Sequence, residues 1–286
     1  MSTTVKVGAH VSIGGGIEKA PERAYRIGCE CFQFFSRPPR GGSPPKLDDK
    51  TVKRFLQECT KYNLLDYYIH TPYFINLASD DKQIRTRSVS IIKEELKRGD
   101  ILGAKYVVTH LGSSKASSRK EGLKRTIEGL KQILEDKNKY STKLLIENSA
   151  GQGATIGDTL EELAEIVAHL DSNPDIGICL DTAHLFASGY DIRTKDGINS
   201  FLTHFSETIG FSRLKLLHGN DSKVDLGERK DRHEHIGKGK IGIECFKTIV
   251  NEPALRDINL IIETPFKKIE DDIKNLKKLK NLRDKI

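Results

Sequence analysis

The sequence has no tryptophan, a single methionine, and only five cysteines in 286 residues. The cysteines (Cys29, Cys31, Cys59, Cys179 and Cys245) are odd in number, and no two are spaced as Cys-x-x-Cys. That pattern argues against a disulfide framework or a thiolate zinc site, so any metal here must be held by His, Asp and Glu. Long apolar runs are also missing. The longest, such as Leu144-Leu145-Ile146 and Leu260-Ile261-Ile262, are strand-sized, far short of the roughly 20 residues a membrane-spanning helix needs. Residues Met1 to Val7 contain no apolar signal region, which makes a cytoplasmic location the expectation. The glycine run Gly14-Gly15-Gly16 lacks the Lys-Ser/Thr of a phosphate-binding loop and reads as a turn into the first helix.

What is present suits one soluble domain over residues 1–286. Hydrophobic residues make up 37% and charged residues 30%, and an α/β barrel typically needs about 250 residues. The net charge of +7 permits a polyanionic partner. Much of the excess is lysine in the last helix (Lys267, Lys268, Lys274, Lys277, Lys278 and Lys280), a pattern that more often marks a solvated face.

Short β-type runs alternate with amphipathic stretches throughout. The runs are Val5–His10, Cys31–Ser36, Tyr67–His70, Tyr106–His110, Lys143–Asn148, Ile176–Asp181, Leu214–Asn220 and Asn259–Thr264. Apolar residues at helical spacing fill segments such as 84–102 and 159–170. Near-continuous apolar strands separated by helices predict a parallel sheet covered on its outside. Eight such units favour a closed (β/α)8 TIM barrel, with its active site at the C-terminal strand ends. Long loops are expected at 37–45, 187–196 and 220–242.

Those strand ends carry the chemistry. His70, His110, Glu147, Asp181, His218 and Glu263 stand at or near the ends of six of the runs. His184 follows Asp181 by three residues, and Asp231-Arg232-His233 lies in the loop after the seventh run. A single histidine at a strand end is usually a hydrogen-bonded structural residue. Nine such groups converging on one barrel mouth would be costly to desolvate without cations between them. Imidazole and carboxylate donors without thiolate suit Zn²⁺ or Mn²⁺, and five histidines favour zinc.

Several spaced motifs occur in order: His70-Thr71-Pro72-Tyr73-Phe74-Ile75-Asn76-Leu77, Glu147-Asn148-Ser149-Ala150-Gly151-Gln152-Gly153, Gly177 to His184, His218 to Lys223, and Asp231 to Gly239. Together they resemble the endonuclease IV family of zinc-dependent apurinic/apyrimidinic endonucleases. The likeness runs from Val7 to Pro265. It implies three zinc ions, with Mn²⁺ as an alternative at one of them. His70, His110 and Glu147 would hold the first. Glu147 would bridge to a second held by Asp181, His218 and Glu263, and His184, Asp231 and His233 would hold the third. It also implies a substrate of double-stranded DNA with abasic sites or blocked 3′ ends. A zinc-activated hydroxide beside the catalytic Glu147 would cut 5′ to the lesion and leave a 3′-hydroxyl. The resemblance further implies a monomer, and insertion of Arg37, Tyr73 and Phe74 into the duplex. After Arg37 this chain departs from the family's usual pattern, running Pro38-Pro39-Arg40-Gly41-Gly42. Arg232, Lys223, Lys238 and Lys240 are further phosphate-contact candidates or plain surface charges.

Two other readings compete. A sugar isomerase or epimerase on a similar barrel would use Glu147, Asp181, His218 and Glu263, but would not need the other five groups. A catalytically silent binder of damaged DNA would need none of the nine. His10 is expected beside the ligands rather than among them. His169 and His204 read as surface or packing residues, and His235 lies at the wrong position to replace His233.

Overall fold

Eight short strands, each too apolar to leave one face in water, close on themselves. The computed structural model describes residues 4–115, 117–135, 140–170, 173 and 175–284. The strands are β1 (Val7–His10), β2 (Cys31–Phe35), β3 (Tyr67–His70), β4 (Tyr106–Thr109), β5 (Lys143–Glu147), β6 (Ile176–Asp181), β7 (Leu214–His218) and β8 (Asn259–Ile262). Every neighbour pair is parallel, and β8 pairs with β1 to complete the barrel. This is the TIM barrel expected from the alternating pattern.

Several of the helices outside the barrel begin where polar caps satisfy their first amides. Asp48 accepts from Thr51 N at the start of α2 (Asp49–Lys61), after α1 (Ala20–Ile27). Asp81 accepts from Gln83 N and Ile84 N at the start of α3 (Lys82–Leu102). Ser118 and Thr159 cap α4 (Arg119–Leu134) and α5 (Leu160–His169) in the same way. Two helices follow β6: the short α6 (Thr182–Ser188) and α7 (Lys195–Thr208). The loop expected over 187–196 is therefore confined to 189–194, because Asp181 caps α6 through a bond from His184 N at 2.9 Å. Helices α8 (Ile243–Asn251) and α9 (Ile269–Asn281) complete the outer layer.

Inside the barrel, side chains alternate with a period of two along each strand. Cys31, Tyr68, Val108, Leu145, Cys179, Leu216 and Ile261 form one buried cluster within it. Two residues further along each strand comes a polar group: Gln33, His70, His110, Glu147, Asp181, His218 and Glu263. The apolar layer is thus the floor on which the polar layer stands. On β1 the floor position is Gly8, where a Cβ would lie 1.7 Å from the Cys31 carbonyl oxygen.

Some strands are shorter than the sequence pattern suggests. β4 stops at Thr109 and β8 at Ile262, so His110 and Glu263 are the first residues beyond their strands. The chain leaves the ladder at Glu263 because its N–H donates to Asn220 Oδ1 at 2.7 Å. β7 ends at His218, and Asn220 N turns to the Thr182 hydroxyl at 2.9 Å. The 220–242 loop is gathered by buried Asp221, whose carboxylate accepts from Gly239 N and Ile241 N, each at 3.0 Å. The five cysteines are buried and unpaired, and no described helix is long and apolar enough to cross a membrane.

Candidate metal centre

The polar layer brings its carboxylates and imidazoles into contact. Glu147 is completely buried, with Oε2 3.1 Å from His70 Nε2 and Oε1 3.1 Å from His218 Nδ1. His110 Nε2 lies 3.6 Å from Oε2 of the same carboxylate. Glu263 Oε2 is 3.4 Å from His218 Nδ1. Asp231 reaches in from its loop, with Oδ1 3.3 Å from His184 Nε2 and 3.2 Å from His233 Nε2.

The orientation of the imidazoles reveals what these contacts are for. His70 Nδ1 donates to Thr71 O at 2.7 Å, His184 Nδ1 to Asn148 O at 3.0 Å, and His233 Nδ1 to Glu263 O at 3.1 Å. A backbone carbonyl only accepts, so each Nδ1 carries the proton and each Nε2 of the neutral ring is a bare lone pair. His218 is turned the other way: its Nε2 faces Gln33 Oε1 at 3.0 Å, which frees Nδ1. Four lone pairs therefore point at carboxylate oxygens, acceptor toward acceptor. Such an arrangement needs a cation or a proton between the partners. The buried Nε2 atoms of His184 and His233 have no hydrogen-bond partner. Fixing one ring nitrogen on an acceptor while the other faces inward is how metal-binding histidines are oriented.

The donors fall into three groups, in each of which all ligand atoms lie within 4.8 Å of one another. His70, His110 and Glu147 form one, and Glu147, Asp181, His218 and Glu263 a second. The third is Asp181, His184 and His233, with Asp231 alongside. Asp181 thus stands between the last two groups, its Oδ2 3.6 Å from His233 Nε2. The donor set fits zinc: nitrogen and carboxylate oxygen, three or four per group, without sulfur.

Charge follows the same geometry. Burial alone would raise the Glu147 carboxyl, but the imidazoles of His110 and His218 outweigh it and hold the group well below the usual range. Burial likewise opposes charge on His233, yet the adjacent carboxylates of Asp181 and Asp231 raise its pKa to about 9. His110 moves the other way, because burial dominates. His70, His184 and His218 shift upward like His233, each beside a carboxylate that outweighs its burial.

Three residues that the sequence pattern did not single out support the candidate ligands. Gln33, fully buried on β2, donates to Glu263 Oε1 at 2.7 Å and to His10 Nδ1 at 3.0 Å while accepting from His218. Asn220 Nδ2 donates to Asp181 Oδ2 at 2.6 Å, and Asn148 Oδ1 accepts from Asp181 N at 2.6 Å. His10 belongs to none of the three donor groups and sits 3.3 Å from Glu263. His235 bonds to Asn275, while His169 and His204 are tied to Glu165 O and Glu161.

The DNA-contact candidates separate. Tyr73 stands at the mouth, 65% exposed, its ring edge-on to Phe35. Phe74 is half-buried against the core beneath Arg87. Arg37 does not project from its loop. It is only 5% exposed, with Nε 2.5 Å from Glu95 Oε1 and Nη2 2.6 Å from Glu94 Oε2. Lys223, Arg232, Lys238 and Lys240 are all exposed.

Known proteins are similar to this chain in fold and sequence. The profile of the family described as a xylose isomerase-like TIM barrel matches residues 21–280. The protein named probable endonuclease 4 of Carboxydothermus hydrogenoformans is 43% identical over 276 residues, 96% of each chain. The crystal structure of endonuclease IV from Thermus thermophilus superimposes with a TM-score of 0.86 at 32% identity, covering 97% of this chain and 98% of that one. A D-tagatose 3-epimerase-like protein shares the fold with a TM-score of 0.73 at 22% identity, covering 97% of each chain. With identity at this level along nearly its whole length, the chain belongs to the endonuclease IV family.

Proposed function

We propose that this protein is a DNA-repair endonuclease that hydrolyses the phosphodiester bond 5′ to abasic sites in double-stranded DNA and leaves a 3′-hydroxyl. The observation that carries this reading is the set of four imidazoles whose bare nitrogens face the carboxylates of Glu147, Asp181, Asp231 and Glu263. Three zinc ions are the cofactor that suits them, and Mn²⁺ could replace one. His70, His110 and Glu147 would hold the first, Glu147, Asp181, His218 and Glu263 the second, and His184, Asp231 and His233 the third. When bound, such ions supply an activated water and neutralise charge on a phosphate and its leaving oxygen.

The chain's own groups do the remaining work. Glu147 lies between two groups of imidazoles and is the residue to which the catalytic role is assigned. Gln33 and the backbone carbonyls of Thr71, Asn148 and Glu263 hold the imidazole rings in the tautomers that present lone pairs inward. The apolar floor beneath Glu147 and His218 excludes water from below. Tyr73 is placed to fill the gap left by a missing base, where extrusion of the lesion costs least. Removal of blocked 3′ ends belongs to the same reading, as do a monomeric single-domain enzyme and a cytoplasmic location.

The test is incision of a labelled duplex carrying one reduced abasic site, beside an undamaged duplex. A single cut 5′ to the lesion, lost after chelation and restored by zinc, is expected. No cut by protein carrying its metals, together with turnover of a ketohexose, would replace this reading with that of a sugar epimerase.

A further inference from the structure

The loop after β2 is held at both ends by one helix. Ser36 Oγ donates to Glu95 Oε2 at 2.5 Å, and the neighbouring Arg37 occupies Oε1 of the same carboxylate. Glu95, on α3, is completely buried. One turn along, Arg98 donates through Nε to Ser36 Oγ at 2.6 Å and through Nη2 to Ser36 O at 2.7 Å. Its remaining nitrogen, Nη1, donates to Pro45 O at 3.0 Å, at the far end of the loop. Arg98 thus ties residue 36 to residue 45, and the carboxylates of Glu95 and Glu94 together balance the charges of Arg98 and Arg37.

Between these ties the backbone is stiff and then open. Pro38-Pro39 and Pro44-Pro45 fix φ on either side of the tip. Pro39 O accepts from Tyr73 N at 3.3 Å, which joins this loop to the one after β3. Gly41 and Gly42 have φ of 113° and 115°, a region L side chains rarely adopt. Arg40 beside them is exposed, unlike Arg37.

We propose that Arg37, Glu95, Ser36 and Arg98 form a buried clamp that sets the tip of the 38–44 loop for the DNA duplex. Arg37 is then a positioning residue inside the protein rather than a side chain inserted into DNA. The inference rests on the DNA reading given above for its purpose, but the clamp itself is testable without DNA. Losing the clamp returns conformational freedom to the loop, and each binding event must remove it again. A residue acting this way changes affinity and leaves the chemical step alone.

Two experiments decide it, both on full-length, metal-loaded protein. The first is steady-state incision of abasic duplex by Glu95→Gln, with Arg37→Ala and the double variant completing a cycle. Glu95→Gln should raise KM about tenfold with kcat within about twofold of wild type, as expected from lost preorganisation. The double variant should be no worse than the poorer single, because both changes break one unit. A large effect of Arg37→Ala beside wild-type behaviour of Glu95→Gln would mean that Arg37 meets DNA itself, and would overturn the clamp. Wild-type protein that neither binds nor cuts the duplex would instead overturn the DNA reading. The second experiment covers the case in which breaking a buried ion pair prevents folding. Ser36→Ala removes one hydroxyl and no charge. Tryptic cleavage after Arg40 should then accelerate about tenfold, because the tip opens more often. Arg37 itself is followed by proline and resists trypsin. An unchanged cleavage rate would refute the clamp whatever the protein does to DNA.

Discussion

Glu147 Oε2 lies 3.1 Å from His70 Nε2, and neither side chain is open to solvent. Because His70 spends its ring proton on Thr71 O, this contact sets a lone pair against a carboxylate unless a cation lies between them. Glu147→Gln keeps the shape and removes the charge that two donor groups share. Incision should fall by more than about 100-fold, beyond the cost typical of losing a ligand's outer partner. Bound zinc per chain should fall with it, and the circular dichroism spectrum should remain. Full activity with full zinc content would remove Glu147 from the catalytic role.

Gln33 tests the supporting layer. Its amide accepts from His218 and donates to Glu263 and His10, so one side chain fixes the tautomer of one proposed ligand and the rotamer of another. Gln33→Leu fills the space but leaves His218 free to turn and Glu263 with one bond fewer. Zinc affinity, measured by competition with a chelator of known strength, should drop by about 10–100-fold. Unchanged affinity would mean that the rings are held by packing alone.

His70, Glu147 and Asp181 could be picked out from sequence because each is the first polar residue after an apolar run. Gln33 could not, since it interrupts Cys31-Phe32-Gln33-Phe34-Phe35, and a lone amide in an apolar strand has many explanations. Its meaning appears only when Cys31 is known to lie in the same interior layer as Leu145 and Leu216. Helix α6 was hidden because Asp181, read as a ligand, is also the cap that starts it. Arg37 shows the deeper limit. Whether an arginine after a strand turns outward or back onto a helix depends on Glu95, 58 residues away, and no local pattern encodes that pairing. The barrel was legible because strand–helix alternation is local and repeated eight times.

Asp272 gives a pH-dependent prediction away from the donor groups. It is buried near the start of α9, where burial and the adjacent Asp271 raise its carboxyl to about 6. An unfolded aspartate titrates near 3.9. The folded chain therefore holds this proton more tightly, and the stability it confers is present below about pH 4 and is lost as pH rises to about 6. Asp272→Asn removes that loss. At about pH 7.5 the variant should be more stable than wild type by about 1–2 kcal/mol, the linkage value discounted for nearby solvent. At about pH 4 the two should converge. Urea midpoints at both pH values check this, and equal midpoints at pH 7.5 would place the carboxyl in its ordinary range.

Tyr73 and Phe74 are adjacent yet should fail differently. Tyr73 projects 65% exposed, its ring set steeply against that of Phe35, so little folding energy depends on its ring. Tyr73→Ala should weaken binding to abasic duplex by about 1–3 kcal/mol, the range for losing an aromatic that stacks on bases, and Tyr73→Phe should restore most of it. Because no phosphate contact is lost, the slope of log K against log salt should not change. Phe74 packs against the core under Arg87, and Phe74→Ala should instead cost about 1–2 kcal/mol of stability, as expected for a half-buried aromatic. Fluorescence anisotropy across a salt series, beside urea unfolding of each variant, separates the two. If Tyr73→Ala lowers stability and leaves affinity untouched, the exposed ring is a cover for Phe35 and the gap at the lesion is filled by another group.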